Sequence, residues 1–210
     1  MNLCNLDLGI RRLIQRLRTL LKSFASRIDE IQRLRPDRQV HVFFQDECRF
    51  GQQGTLTRVW AKRGTRPRAV RQTQYGYVYV LAAVSASLGM AEGMIATHLD
   101  TGIVNRFLEG FSKRLSDDVH AVMVWDGAGF HRAKELRCPS NVTLITLPPY
   151  SPELNPVENL WHYLKSHYWS NRRYANVEAL FDAAEHAWRA TCLEPEKLRS
   201  ICAAPYAQRA

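Results

Sequence analysis

The chain has 210 residues, 46% of them apolar and 10% aromatic, which is enough for one domain with a real core and excludes wholesale disorder. Lys and Arg number 29 against 20 Asp and Glu, and the resulting formal charge of +9 favours a polyanionic partner. There is no apolar run of about 18 residues, no leader-peptide pattern and no CxxC pair among the five cysteines (Cys4, Cys48, Cys138, Cys192, Cys202), so a membrane span, a disulfide framework and a cysteine-based zinc site are excluded and a cytoplasmic location is expected.

Residues 10–31 carry Ile10, Leu13, Ile14, Leu17, Leu20, Leu21, Phe24, Ile28 and Ile31 at helical spacing, with arginines on the other face. Residues 1–40 hold nine Lys/Arg and four Asp/Glu, a local charge of +5. The polar face of this helix suits either DNA contact or a solvated linker, and its apolar stripe needs a partner. Residues 1–39 are therefore expected to form a basic linker region ahead of a folded domain spanning 40–210.

Val40–Gln45 is a short apolar run that reads as a buried strand ending at Asp46 and Glu47. Leu56–Trp60, Tyr75–Ser85 and Ala91–Thr97 follow, interrupted by a basic Gly/Pro stretch, and their spacing suggests an antiparallel meander. Val104, Phe107, Leu108, Phe111 and Leu115 mark a helix over 100–115, with Asp100 or Thr101 as its cap. Ala121–Trp125, ending at Asp126, and Val142–Leu147 read as two further strands. Four prolines within residues 148–156 exclude regular structure there. Asn155 then suits an N-cap with Pro156 at the first helical position, and Val157, Leu160, Trp161, Leu164 and Tyr168 mark the buried face of the helix that follows. Val177, Leu180, Phe181, Ala184 and Trp188 predict a last long helix, and residues 194–201 a short one. The order predicts an α/β fold with a sheet of mixed direction. No glycine-rich phosphate loop occurs.

Asp46 and Asp126 both stand where an apolar strand runs out, and adjacent parallel strands would set them side by side. Glu158, on the first turn of the helix after the last strand, can lean over the same end of the sheet. Three converging carboxylates repel unless they are protonated or hold a divalent cation, and all-oxygen ligation suits Mg2+ or Mn2+. The same residues also suit local roles. Asp46 and Asp126 can form turns, Glu158 stands at the capping-box position three residues after Asn155, and Glu47 would face the other way on an extended strand.

Four stretches bear on this choice: QDECRFG at 45–51, RVWAKRGTRP at 58–67, WDGAGFH at 125–131 and LPPYSPELNPVENLWHYLK at 147–165. Together, and in this order, they resemble the catalytic domain of bacterial insertion-sequence transposases of the mariner-like DDE superfamily, over residues 40–190. The resemblance implies a ribonuclease-H-like fold with a mixed five-stranded sheet flanked by helices. It implies a catalytic and metal-binding triad of Asp46, Asp126 and Glu158 that holds two Mg2+ (or Mn2+) ions. Water would attack the phosphodiester at a transposon end, and the freed 3′ hydroxyl would attack target DNA, with TA dinucleotides as the implied target.

The expected partners are double-stranded DNA, as transposon ends and as target, and a second copy of the chain assembled on that DNA. Arg58, Lys62, Arg63, Arg66, Arg68 and Arg71, with no acid among them, are the expected phosphate contacts. Trp60 within this run suits either a strut or a stacking platform for an extruded base, with the strut favoured. His131 suits either a phosphate contact near Asp126 or a structural role. Lys165, seven residues beyond Glu158, can reach the DNA backbone or lie solvated. Tyr150 and Ser151 are expected to shape the loop that delivers Glu158, and Trp161, Tyr163, Tyr168 and Trp169 to pack.

The chain departs from the family pattern at three places. Only the basic helix precedes the catalytic strand, where family members carry a helix-turn-helix region that binds the terminal inverted repeats. Gly127 stands where many relatives have asparagine. The 32 residues from Asp126 to Glu158 are few for the family, so the helix between the last two strands is expected to be vestigial. Two other readings follow. One is a catalytically silent, truncated DNA-binding or dimerising protein that interferes with a full-length transposase. The other is a host ribonuclease-H-like nuclease such as a junction resolvase, against which the proline-rich approach to Glu158 weighs.

Overall fold

The computed structural model describes residues 24–203, apart from 55, 67, 69–71, 128–132 and 149–150. Most of the basic helix expected over 10–31, together with Cys4, Arg71, His131 and Tyr150, lies outside the described residues. Five strands form one sheet: β1 (Gln39–Gly51), β2 (Tyr77–Ser85), β3 (Met90–Ala96), β4 (Val119–Trp125) and β5 (Val142–Thr146). Their spatial order is β3-β2-β1-β4-β5. The first three pair antiparallel, and β1, β4 and β5 pair parallel. The mixed sheet matches the expectation from sequence.

Strand alternation separates two cores. Val42, Phe44, Cys48 and Phe50 of β1 point to one face, with Val122 and Val124 of β4 beside them. Phe43 of β1, with Ala121, Met123 and Trp125 of β4, points to the other. The second face is covered by α2 (Thr101–Arg114), whose Val104, Phe107, Leu108 and Phe111 are buried. Asp100 caps this helix by accepting a hydrogen bond from the Ile103 amide at 2.8 Å. The first face is covered by α1 (residues 24–34), α3 (Val157–Leu164), α4 (Val177–Cys192) and α5 (Pro195–Ile201). Ile31 is buried there and the Phe24 ring lies 6.4 Å from that of Phe44, so for these residues the body of the domain partners the apolar stripe.

Three expectations differ from the structure. β1 runs on through Asp46 to Gly51, because β2 pairs with it as far as Gly51↔Tyr77 and only one face of the strand needs to be apolar. Residues 56–60 form no strand and are exposed. The bend before α3 does hold a single 3₁₀ turn, Pro152–Leu154, closed by the Leu154 amide on the Ser151 carbonyl. Between β4 and β5, residues 133–141 form turns rather than a helix, as the short spacing predicts.

Candidate active site

The site is built where β4 stops and β1 continues. The parallel register ends at Phe44 paired with Val124, and Asp46 and Asp126 each follow that last pair by two residues. Asp46 shares the face of Phe44 and looks toward α3. Asp126 is the first residue after β4 and is exposed. Glu158 lies in the first turn of α3, also exposed.

The placement of α3 is enforced by Asn155. This buried side chain donates from Nδ2 to the Gln45 carbonyl at 3.0 Å and accepts on Oδ1 from the Val157 amide at 3.2 Å. One residue thus caps the helix and ties its start to β1 beside Asp46. A second tie is direct: Trp161 Nε1 donates to Asp46 Oδ2 at 2.9 Å. Trp161 was expected to pack, and it does so at 2% exposure, but its indole N–H also fixes the rotamer of a candidate catalytic acid.

Burial, and next the charges of Glu158 and Glu47, push the Asp46 carboxyl up to about 7 against the pull of the Trp161 hydrogen bond. Two carboxylates in each other's field, one of them desolvated, form an arrangement that a divalent cation relieves. The donors are all oxygen, which fits Mg2+ or Mn2+. Among the described residues, however, no three His, Cys, Asp or Glu side chains are already gathered closely enough to hold one ion. The structure brings Asp46 and Glu158 together and leaves Asp126 at the solvent edge of the neighbouring strand.

Lys165 belongs to this site more closely than its spacing from Glu158 indicated. It opens a π-helical turn (Lys165–Trp169) that continues α3. Burial pushes the Cys48 thiol up to about 11, opposed by the neighbouring Lys165 ammonium, while Asp46 and Glu158 add to the rise. A cation therefore stands one alternation along β1 from Asp46. Glu47 faces the opposite side of the strand, as expected, and accepts from Gln45 Nε2 at 2.8 Å.

The basic run forms an arm between β1 and β2. Arg58, Lys62, Arg63, Arg66 and Arg68 are all exposed on it. Trp60 is 104% exposed, so it struts nothing among the described residues, contrary to the favoured expectation. Among the described residues, no helix is long and apolar enough to cross a membrane.

Comparison with known proteins agrees with this architecture. Residues 41–181 match the family described as DDE superfamily endonuclease. The uncharacterized protein y4pE/y4sA of Sinorhizobium fredii (strain NBRC 101917 / NGR234) is 34% identical over 133 residues, covering 63% of this chain and 98% of that protein. The crystal structure of the Mos1 strand transfer complex superposes with a TM-score of 0.58 at 11% identity, covering 90% of this chain and 57% of that one. The Mos1 mariner paired end complex with Mn gives a TM-score of 0.60 at 15% identity over 94% of this chain and 60% of that one. At such identities the likeness establishes the fold, which is ribonuclease-H-like, and the chain spans under two thirds of the length of those Mos1 chains.

Proposed function

The chain belongs to the DDE superfamily endonucleases, and on that premise we propose that it is the catalytic core of a transposase of a mariner-related insertion sequence. In this reading it hydrolyses the phosphodiester at transposon ends and transfers the freed strand into target DNA. The observation that carries it is Asp46, held by Trp161 beside Glu158, with Asp126 as the first residue after the neighbouring strand β4.

Asp46, Asp126 and Glu158 would hold the metal, two Mg2+ or Mn2+ ions on this reading. Such ions activate an attacking water or hydroxyl and stabilise the leaving oxygen of a phosphodiester. The chain's own residues supply the remainder. Trp161 keeps one oxygen of Asp46 fixed. Asn155 holds the first turn of α3, and with it Glu158, against β1. Arg58, Lys62, Arg63, Arg66, Arg68, Arg71 and Lys165 would neutralise duplex phosphates, and His131 a phosphate near Asp126. The exposed Trp60 ring would offer a stacking surface to an unpaired base. The core would act in the cytoplasm as a homodimer assembled on the transposon ends, with residues 1–39 as the linker to it.

The test is a Mn2+ titration of the folded wild type, Asp46→Ala and Asp126→Ala. Saturable binding by the wild type that either substitution abolishes is the expected outcome. Equal binding by all three proteins would remove the triad. A second reading is a catalytically silent, truncated DNA-binding or dimerising protein that interferes with a full-length transposase. It requires duplex binding with no Mn2+-dependent cleavage.

A further inference from the structure

The arm leaves β1 after Gly51 and returns at Tyr77, and beyond the Gln52 amide on the Gly76 carbonyl at 2.9 Å its described legs are held by side-chain amides. On the outgoing leg, Asn171 Oδ1 accepts from the Thr57 amide at 3.2 Å and its Nδ2 donates to the Thr57 carbonyl at 3.0 Å. On the returning leg, Gln72 Oε1 accepts from the Tyr174 amide at 2.7 Å and its Nε2 donates to the Tyr174 carbonyl at 2.8 Å. Gln52 closes the base, donating to the same Tyr174 carbonyl at 2.8 Å and accepting from the Gly76 amide at 3.0 Å. A Cβ at Gly76 would stand 2.5 Å from that Gln52 oxygen, so a larger residue there would displace the Gln52 side chain.

Each of these amides offers one donor and one acceptor to backbone, which is what a rung of a sheet offers. All three converge on residues 171–174, the loop that follows α3 and its π-helical turn. That loop is itself anchored to β1. Trp169 stacks on Phe50 with ring centroids 4.5 Å apart, and the Tyr174 ring meets Phe50 edge-on at 5.1 Å. Asn171 has φ 58, a left-handed conformation that asparagine tolerates. The arm's legs therefore connect through one fixed loop to the helix that carries Glu158 and to the strand that carries Asp46.

We infer that Asn171 and Gln72 are a latch that sets the direction of the basic arm relative to Asp46 and Glu158, so that duplex phosphate gripped by the arm is presented to the acids. The inference rests on the endonuclease reading above. Both are positioning residues: Asn171 touches arm backbone and Gln72 touches loop backbone, with Gln72 Nε2 also donating to Gln74 Oε1 at 2.9 Å within the arm. Without them a long exposed loop would be free to swing, and DNA would have to order it on binding.

The experiment is a double-mutant cycle on the full chain, read by the anisotropy of a fluorescein-labelled duplex without divalent metal. Asn171→Gly keeps the left-handed backbone and removes both Thr57 bonds, and Gln72→Met keeps length without hydrogen bonding. Each is combined with an arm neutralised by Arg63→Ala and Arg66→Ala. The latch variants are expected to weaken duplex binding about three- to tenfold with the native arm, and by less than about twofold with the neutralised arm. Equal weakening in both backgrounds, or none with the native arm, overturns the latch. If Asn171→Gly melts early, Gln72→Met alone is read by the same criterion. An arm-neutralised chain that binds as tightly as wild type also overturns the latch, and leaves the acid site to be judged by the Mn2+ titration, which does not involve the arm. A wild type that binds no duplex removes the DNA reading itself.

Discussion

Asp46 is the residue on which folding and chemistry conflict. Its carboxyl sits at about 7 because burial and the Glu158 and Glu47 charges oppose ionisation. The folded chain therefore holds a proton that the unfolded chain releases near pH 3.8, and stability falls as pH rises from about 4 to 7. Asp46→Asn keeps an acceptor for Trp161 Nε1 and removes the charge. In the metal-free protein it is expected to be near neutral at pH 4, to gain through pH 7 and to level off above it, with a final gain on the order of 2–4 kcal/mol. Urea denaturation in EDTA across that pH range checks this, and a pH-independent gain would show that the carboxyl is not desolvated. Mn2+ is expected to raise the Tm of wild type and not of Asp46→Asn. The conflict between Asp46 and its surroundings was only half visible in the sequence. The motif marks Asp46, Asp126 and Glu158, but the indole N–H that orients Asp46 lies 115 residues away and reads as a plain packing aromatic.

At the scale of elements, the sequence was legible wherever a pattern is local. The caps show this. Asp100 and Asn155 cap α2 and α3 as their side-chain chemistry predicts, and the apolar spacing finds the buried faces of both helices. What depends on a distant partner was not legible. β1 outlasts its apolar run because β2 supplies the ladder, and Leu56–Trp60 resembles a strand but has no ladder to join. Asn155 combines both kinds of information. Its cap is local, whereas its bond to the Gln45 carbonyl spans 110 residues. Asn155→Ala removes both and strands a buried carbonyl acceptor, so it is expected to cost about 2–3 kcal/mol. Asn155→Ser restores the cap alone and should recover only about 1 kcal/mol of that. If alanine cost no more than a lost cap, the tie between α3 and β1 would contribute nothing to stability, and cleavage activity should then be insensitive to it as well.

For the whole molecule, the proposed function raises the question of which part of the +9 charge would face DNA. Composition shows the surplus and even its two concentrations, in the first 40 residues and in the 58–71 arm, but it cannot say how each is used. In the described part of α1 the cations are engaged with their own helix. Arg27 pairs with Glu30 at 2.7 Å, and Arg33 Nε donates to the Asp29 carbonyl at 3.2 Å. The arm cations stand exposed on a loop whose base is fixed to residues 171–174 after α3, so on the proposed reading it is the arm that meets phosphate. Counterion release makes this measurable, because each phosphate contact contributes about −0.9 to the slope of log affinity against log salt. Replacing Arg63 and Arg66 together by alanine is expected to flatten that slope by about 2, and replacing Arg27 and Arg33 together should leave it within about 0.5 of wild type. The comparison is internal, since both pairs remove the same formal charge and any long-range effect of net charge cancels between them. A slope that flattens equally for the two pairs would mean that affinity follows overall charge and not the arm, and the arm would then be no more than one part of a diffuse positive surface.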